Sequence, residues 1–67
     1  MNIILNNRPE TLEGDILTIR ELLTVKKFSF KMIVVKINEK LIKKDAYETA
    51  TIKDGDDVTV LHLISGG

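Results

Sequence analysis

The sequence predicts an α+β domain: a mixed sheet of four to five strands packed on one main helix. Three observations carry this expectation. Apolar runs rich in β-branched residues stand near both ends of the chain and in its middle. One stretch, Ile19 to Leu23, places its apolar residues at helical spacing. A helix of two to three turns cannot bury its own face, so it must lie across a sheet.

The elements follow in order. Asn2 to Asn6, "NIILN", is a short β-branched run and reads as a strand. Asn6 to Arg8 suits a turn, because Asn tolerates left-handed backbone geometry. A weaker strand is expected at about Glu10 to Glu13; Pro9 has no N–H for a ladder, so this strand belongs at an edge or begins there. "TIRE", Thr18 to Glu21, has the form of a capping box, with hydroxyl and carboxylate each satisfying the other residue's amide. Ile19, Leu22 and Leu23 then share one helix face, and the helix should end near Lys26 and Lys27, whose charges suit its negative end.

Lys31 to Asn38, "KMIVVKIN", is nearly continuous in apolar residues and is expected as a central strand. Ile33, Val35 and Ile37 point one way and Lys36 the other. Asn38 to Lys40 turns into a short strand, Leu41 to Ile42. Lys44 to Ala50 is too short for an independent helix and is read as a single turn. Lys53 to Asp57, "KDGDD", is a tight turn in which Gly55 supplies the backbone freedom. Val58 to Ile64 is the last strand, with Val58, Val60 and His62 alternating against Thr59, Leu61 and Leu63. The whole chain, residues 1–67, is expected as a single domain with a flexible carboxyl-terminal tail.

Composition narrows the function. A chain of 67 residues buries only about 60% of the surface that its unfolded form exposes, so stability should be marginal. Hydrophobic residues at 43% and charged residues at 30% match a folded domain and not a disordered one. No apolar run approaches the ~20 residues of a membrane span, and the amino end lacks the pattern of a signal peptide. The absence of cysteine excludes a disulfide scaffold, a thiolate metal site and a cysteine nucleophile. These features together lead to the expectation of a cytoplasmic protein. Ten basic and ten acidic residues cancel, which argues against general nucleic-acid affinity. The charges are nonetheless uneven. Seven lysines between Lys26 and Lys44 face only Glu39, either as a solvated face or as a docking surface for an acidic partner.

Several residues invite chemistry and do not support it. His62 is the only histidine and has no orienting carboxylate implied by spacing, so it reads as a strand or surface residue. Asp54, Asp56 and Asp57 lack the ligand number and spacing of a calcium loop and read as a turn. Phe28, Phe30 and Tyr47 read as core residues, since a base-stacking platform needs a basic excess beside it.

The chain ends in Gly66 and Gly67. At about 7% average usage, a chance Gly-Gly end is expected in roughly one chain in two hundred. Either the end is frayed, or its terminal carboxylate is the working group. The residues that decide between these readings lie elsewhere. "NIILNN" at the start, "GDILTIRELL" (Gly14 to Leu23) around the helix, "VVKINEKLIKKDAY" (Val34 to Tyr47), "IKDGDDV" (Ile52 to Val58) and the final Gly-Gly together resemble the ThiS family, the short bacterial sulfur carriers of thiamin biosynthesis. The resemblance covers essentially the whole chain and implies the β-grasp, or ubiquitin-like, fold. It departs from the family pattern in two apparent extra residues before Thr18, in Lys43 and Lys44 where Pro-Arg is common, and in Tyr47 where Trp is common.

The resemblance implies a carrier and no enzyme. A ThiF-like adenylyltransferase would use ATP to activate the Gly67 carboxylate, and a sulfur donor would then displace AMP to leave a thiocarboxylate. A ThiG-like thiazole synthase would receive that sulfur. No bound cofactor, metal, nucleic acid or membrane is implied. Ile64, Ser65 and Gly66 would form the arm that enters the partner's site, where glycine's lack of a Cβ permits close approach. Leu61 and Leu63 would contact the partner through the exposed sheet face. A molybdopterin-type sulfur carrier and a ubiquitin-like interaction module with an inert tail are the alternatives.

Overall fold

The computed structural model describes residues 1–28 and 32–62. Among them are seven strands, one α-helix and one 3-10 turn. In chain order these are β1 (Asn2–Leu5), β2 (Arg8–Thr11), β3 (Ile16–Thr18), α1 (Ile19–Val25), β4 (Ile33–Ile37), β5 (Lys40–Ile42), the 3-10 turn Lys44–Ala46, β6 (Thr51–Lys53) and β7 (Asp57–His62). Five strands form the main sheet in the order β2-β1-β7-β4-β5, and β3 pairs with β6 in a separate ribbon. β1 and β7 run parallel; the other pairings are antiparallel. This is the β-grasp architecture, a mixed five-stranded sheet closed on one helix.

Two turns set the register of the sheet. Asn6 and Asn7 take φ of 52° and 66°, and Asn38 and Glu39 take 49° and 69°. Two consecutive left-handed residues make type I′ turns, whose twist matches that of the flanking strands. The first pairs Leu5 with Arg8 and the second pairs Ile37 with Lys40. Because the first turn uses only two residues, β2 begins at Arg8 and ends at Thr11, earlier than the expected Glu10 to Glu13. Pro9 lies in this edge strand opposite Ile4. Met1 and Leu12 exchange backbone hydrogen bonds of 2.7 and 2.8 Å, so by alternation Pro9 occupies a non-bonded position and costs the ladder nothing.

The helix begins as expected. The Glu21 amide donates to the Thr18 hydroxyl at 3.1 Å, and the Thr18 amide donates to the Glu21 carboxylate at 2.9 Å. The helix also ends where expected, with Val25 as its last residue and Lys26 as its C-cap. Lys27 takes φ of 58°, the Phe28 amide donates to the Leu23 carbonyl at 2.8 Å and the Lys27 amide donates to the Thr24 carbonyl at 3.1 Å. This is a Schellman termination with lysine at the left-handed position. The Lys26 ammonium pairs with Glu10 at 3.1 Å, tying the helix end to β2 in addition to any effect on the helix dipole.

The core lies between helix and sheet. Ile19, Leu22 and Leu23 on α1 meet Ile3 and Leu5 of β1, Val35 of β4, and Val58 and Val60 of β7 in one buried cluster. Tyr47 joins that cluster and Phe28 packs against it, as expected for core aromatics. Phe30 lies outside the described residues. β4 is interior, but the central strand is β7, which pairs on one side with β1 and on the other with β4.

The β3–β6 ribbon was not anticipated. Each strand has three residues, with Leu17 opposite Ile52. Neither segment shows an alternation long enough to signal a strand. Ile52 is completely buried, and the ribbon forms where the start of α1 meets the segment before the Gly55 turn.

Candidate functional site

The site is built around the exit of β7. Five consecutive register pairs, from Ile37 opposite Val58 to Ile33 opposite His62, hold this strand against β4. On its other side Ile4 and Leu5 pair with Asp57 and Val58, and the Asn6 side chain extends the contact by accepting from the Val60 amide at 2.8 Å. The strand is thus anchored to its last described residue. Leu63, Ile64, Ser65, Gly66 and Gly67, the expected arm and reactive end, lie outside the described residues.

Alternation along β7 gives the two faces different roles. Val58 and Val60 are buried under the helix, while Asp57 and Leu61 are exposed and Thr59 is half-buried on the open face. Leu61, named from sequence as a partner contact, is 49% exposed on this face. Its neighbours on this face come from other strands. Val34 is opposite Leu61, Lys36 is opposite Thr59, and Leu41 of β5 is opposite Lys36. Leu41 is 57% exposed and Val34 half-buried. These two were not singled out from sequence, because the near-continuous apolar run around Val34 does not say which of its residues face solvent and the expected two-residue strand of Leu41 is too short to show alternation.

The turn before β7 holds the strand's other end. Gly55 takes φ of 89° and its amide donates to the Asn2 carbonyl at 2.7 Å. The Asn2 amide donates to the Asp54 carboxylate at 2.6 Å. Asp56, only 7% exposed, accepts from the Lys53 amide at 2.9 Å and from the Asn38 side-chain amide at 3.1 Å. Asp54 and Asp56 therefore serve the turn. Among the described residues no group of three or more acidic or histidine side chains could hold a metal ion. His62 is exposed at the strand end.

A shallow depression lined by Arg20, Lys44, Asp45 and Glu48 borders the helix and not the open sheet face. Above the Tyr47 ring stands the Arg20 guanidinium, 5.9 Å from the ring centroid. This arrangement covers a buried core residue. Among the described residues, no helix is long and apolar enough to cross a membrane.

Comparison with known proteins agrees with this geometry. Residues 3–67 match the ThiS family. The chain is 29% identical over 63 residues to the sulfur carrier protein ThiS of Bacillus subtilis, covering 94% of this chain and 96% of that protein. It is also similar to a thiamine biosynthesis protein, ThiS, from Geobacter metallireducens. The crystal structure of that protein superposes with a TM-score of 0.88 at 33% identity, covering all of both chains. Its solution structure gives 0.81 at 33% identity, covering all of this chain and 88% of that one. A family match over nearly the whole sequence, on a matching fold, places the chain: it belongs to the ThiS family of sulfur carrier proteins, which are not enzymes.

Proposed function

We propose that this protein carries sulfur for thiazole formation in thiamin biosynthesis, as a thiocarboxylate on Gly67. The observation that carries the reading is that the family match runs through Gly66 and Gly67. Support comes from β7, which is held by β4 up to His62 and, on its other side, by β1 and the Asn6 side chain up to Val60. Five residues beyond His62 can span at most about 18 Å, enough to reach into a partner while the folded part docks outside.

The chemistry belongs to the partners. In the site of a ThiF-like adenylyltransferase a Gly67 carboxylate oxygen attacks the α-phosphorus of ATP, and pyrophosphate leaves. The resulting acyl-adenylate is a good electrophile. A sulfur nucleophile attacks its carbonyl carbon, and AMP leaves with one former carboxylate oxygen. The net change is one oxygen replaced by one sulfur. A ThiG-like synthase then takes the sulfur. Gly66 and Gly67 admit the backbone to a narrow channel, Ser65 and Ile64 complete the arm, and Leu61 and Leu63 meet the partner. All of these steps are placed in the cytoplasm.

Intact-protein mass spectrometry tests the reading, on chain isolated from cells that co-express an adenylyltransferase and a sulfur source. The expected result is a mass gain equal to sulfur replacing oxygen, lost when Gly67 is deleted or followed by one added residue. No gain, with the enzyme active on another carrier, would leave a β-grasp interaction module. Acceptance only by a molybdopterin-type adenylyltransferase would move the chain to that pathway.

A further inference from the structure

Lys36 is an exposed cation on the open sheet face. It projects from β4, the second strand from the edge, with Leu41 opposite it on one side and Thr59 on the other. Val34 precedes it by two residues on the same face, and Leu61 lies diagonally across on β7. The only charged residue that β7 contributes to this face is Asp57, diagonal to Lys36 and beside Ile4. The Lys36 ammonium makes no ion pair with it or with any other described residue.

A lysine in this setting is ordinary while water covers it. It becomes expensive once a partner covers the face, because an ammonium taken out of water without an anion loses its hydration. The apolar neighbours Val34, Leu41 and Leu61 supply no such anion. The surroundings add a weakly positive field, since Lys40, Lys43 and Lys44 outnumber the exposed Glu39 and Asp45 among them. Lys40, Lys43 and Lys44 are exposed on β5 and the segment after it, with no ion-pair partner among the described residues. Such a field attracts an acidic surface before contact and raises its rate of encounter.

We propose that Lys36 is a specificity contact: the partner that covers this face sets a carboxylate opposite the Lys36 ammonium, within an apolar surround that meets Leu41 and Leu61. This rests on the carrier reading, and the partner is the adenylating enzyme of that reading. A second copy of the chain is the other occupant to test, since Lys36 of one copy could face Asp57 of another.

The experiment measures ATP–pyrophosphate exchange by a ThiF-like adenylyltransferase as the concentration of full-length carrier is varied. Wild type, Lys36→Gln, Lys36→Glu and Lys53→Glu are compared at low and high NaCl. Lys53 lies on β6, outside the main sheet, and its substitution repeats the charge change away from the face. Lys36→Glu is expected to raise KM about thirtyfold or more and Lys36→Gln about fivefold, with kcat nearly unchanged. Lys53→Glu should keep the wild-type KM. Salt should raise the KM of wild type more than that of Lys36→Gln.

Lys36 is exposed, so both variants should fold, and Lys36→Gln alone carries the result if the reversal does not. A wild-type KM for both Lys36 variants, with wild type well activated, overturns this inference and leaves the carrier reading standing. No activation of wild type overturns both. Sedimentation showing a wild-type dimer that Lys36→Glu dissolves assigns the face to a second copy and overturns the proposal.

Discussion

The Asn38 side-chain amide donates to the buried Asp56 carboxylate at 3.1 Å, joining the β4–β5 turn to the β6–β7 turn. Asn38 also accepts from the Asp57 amide at 2.9 Å through its side-chain oxygen, so one residue binds both sides of the start of β7. The two turns lie 18 residues apart in sequence and together set where the central strand begins. Replacing Asp56 by Ala leaves the Lys53 amide and the Asn38 amide without their acceptor. The expected loss is about 1–3 kcal/mol. A double-mutant cycle with Asn38→Ala checks it; strict additivity of the two losses would show that the pair is not coupled.

Thr18→Ala removes the capping hydroxyl and, with it, the geometry of the reciprocal Glu21 bond. The helix has only 7 residues, so little propagation compensates for a lost cap. About 1 kcal/mol is expected, a fall in Tm of roughly 4–8 °C for a domain of this size. An unchanged melting curve would mean that helix packing alone fixes its start.

Lys27→Gly should stabilise the protein. The native φ of 58° is unfavourable for lysine and free of strain for glycine. The gain, net of the entropy of a more flexible unfolded chain, is about 0.5 kcal/mol. Urea unfolding with the same slope and a higher midpoint would bear this out, whereas a lower midpoint would show that the lysine stem contributes packing that outweighs the strain.

Pro9→Thr tests the edge. Pro9 occupies a position whose N–H would point outward, away from β1. The replacement should cost only about 0.4–1 kcal/mol, through the freer unfolded chain. It should also leave amide exchange at Arg8 and Glu10 as slow as before. Because it adds an outward donor to an edge strand, concentration-dependent self-association should increase. Fast exchange at Arg8 would mean that the strand register depends on the proline ring.

The ordered elements were legible where one short segment carries its own cause. The Thr18–Glu21 cap, the left-handed Asn6–Asn7 turn, the Gly55 turn and the edge position of the Pro9 strand all depend on residues within four positions of each other. The alternation along the last strand separated its two faces for the same reason, and the structure decided that Val58 and Val60 are the buried set.

The remaining features needed the tertiary structure. β3 and β6 are three residues each, and only their meeting across 32 intervening positions, as at Thr18 opposite Thr51, makes either one a strand. Leu41 and Lys36 share a face because the Asn38–Glu39 turn pairs them, and Leu61 joins them only through the separate pairing of β4 with β7. Sequence by itself determined the class of fold, the helix start, the turns and the family resemblance, since these follow from local backbone preferences and from motif order. Which strand became central, and which side chains gathered beside its exit, was decided by long-range pairing, where each contact depends on the register of all the others.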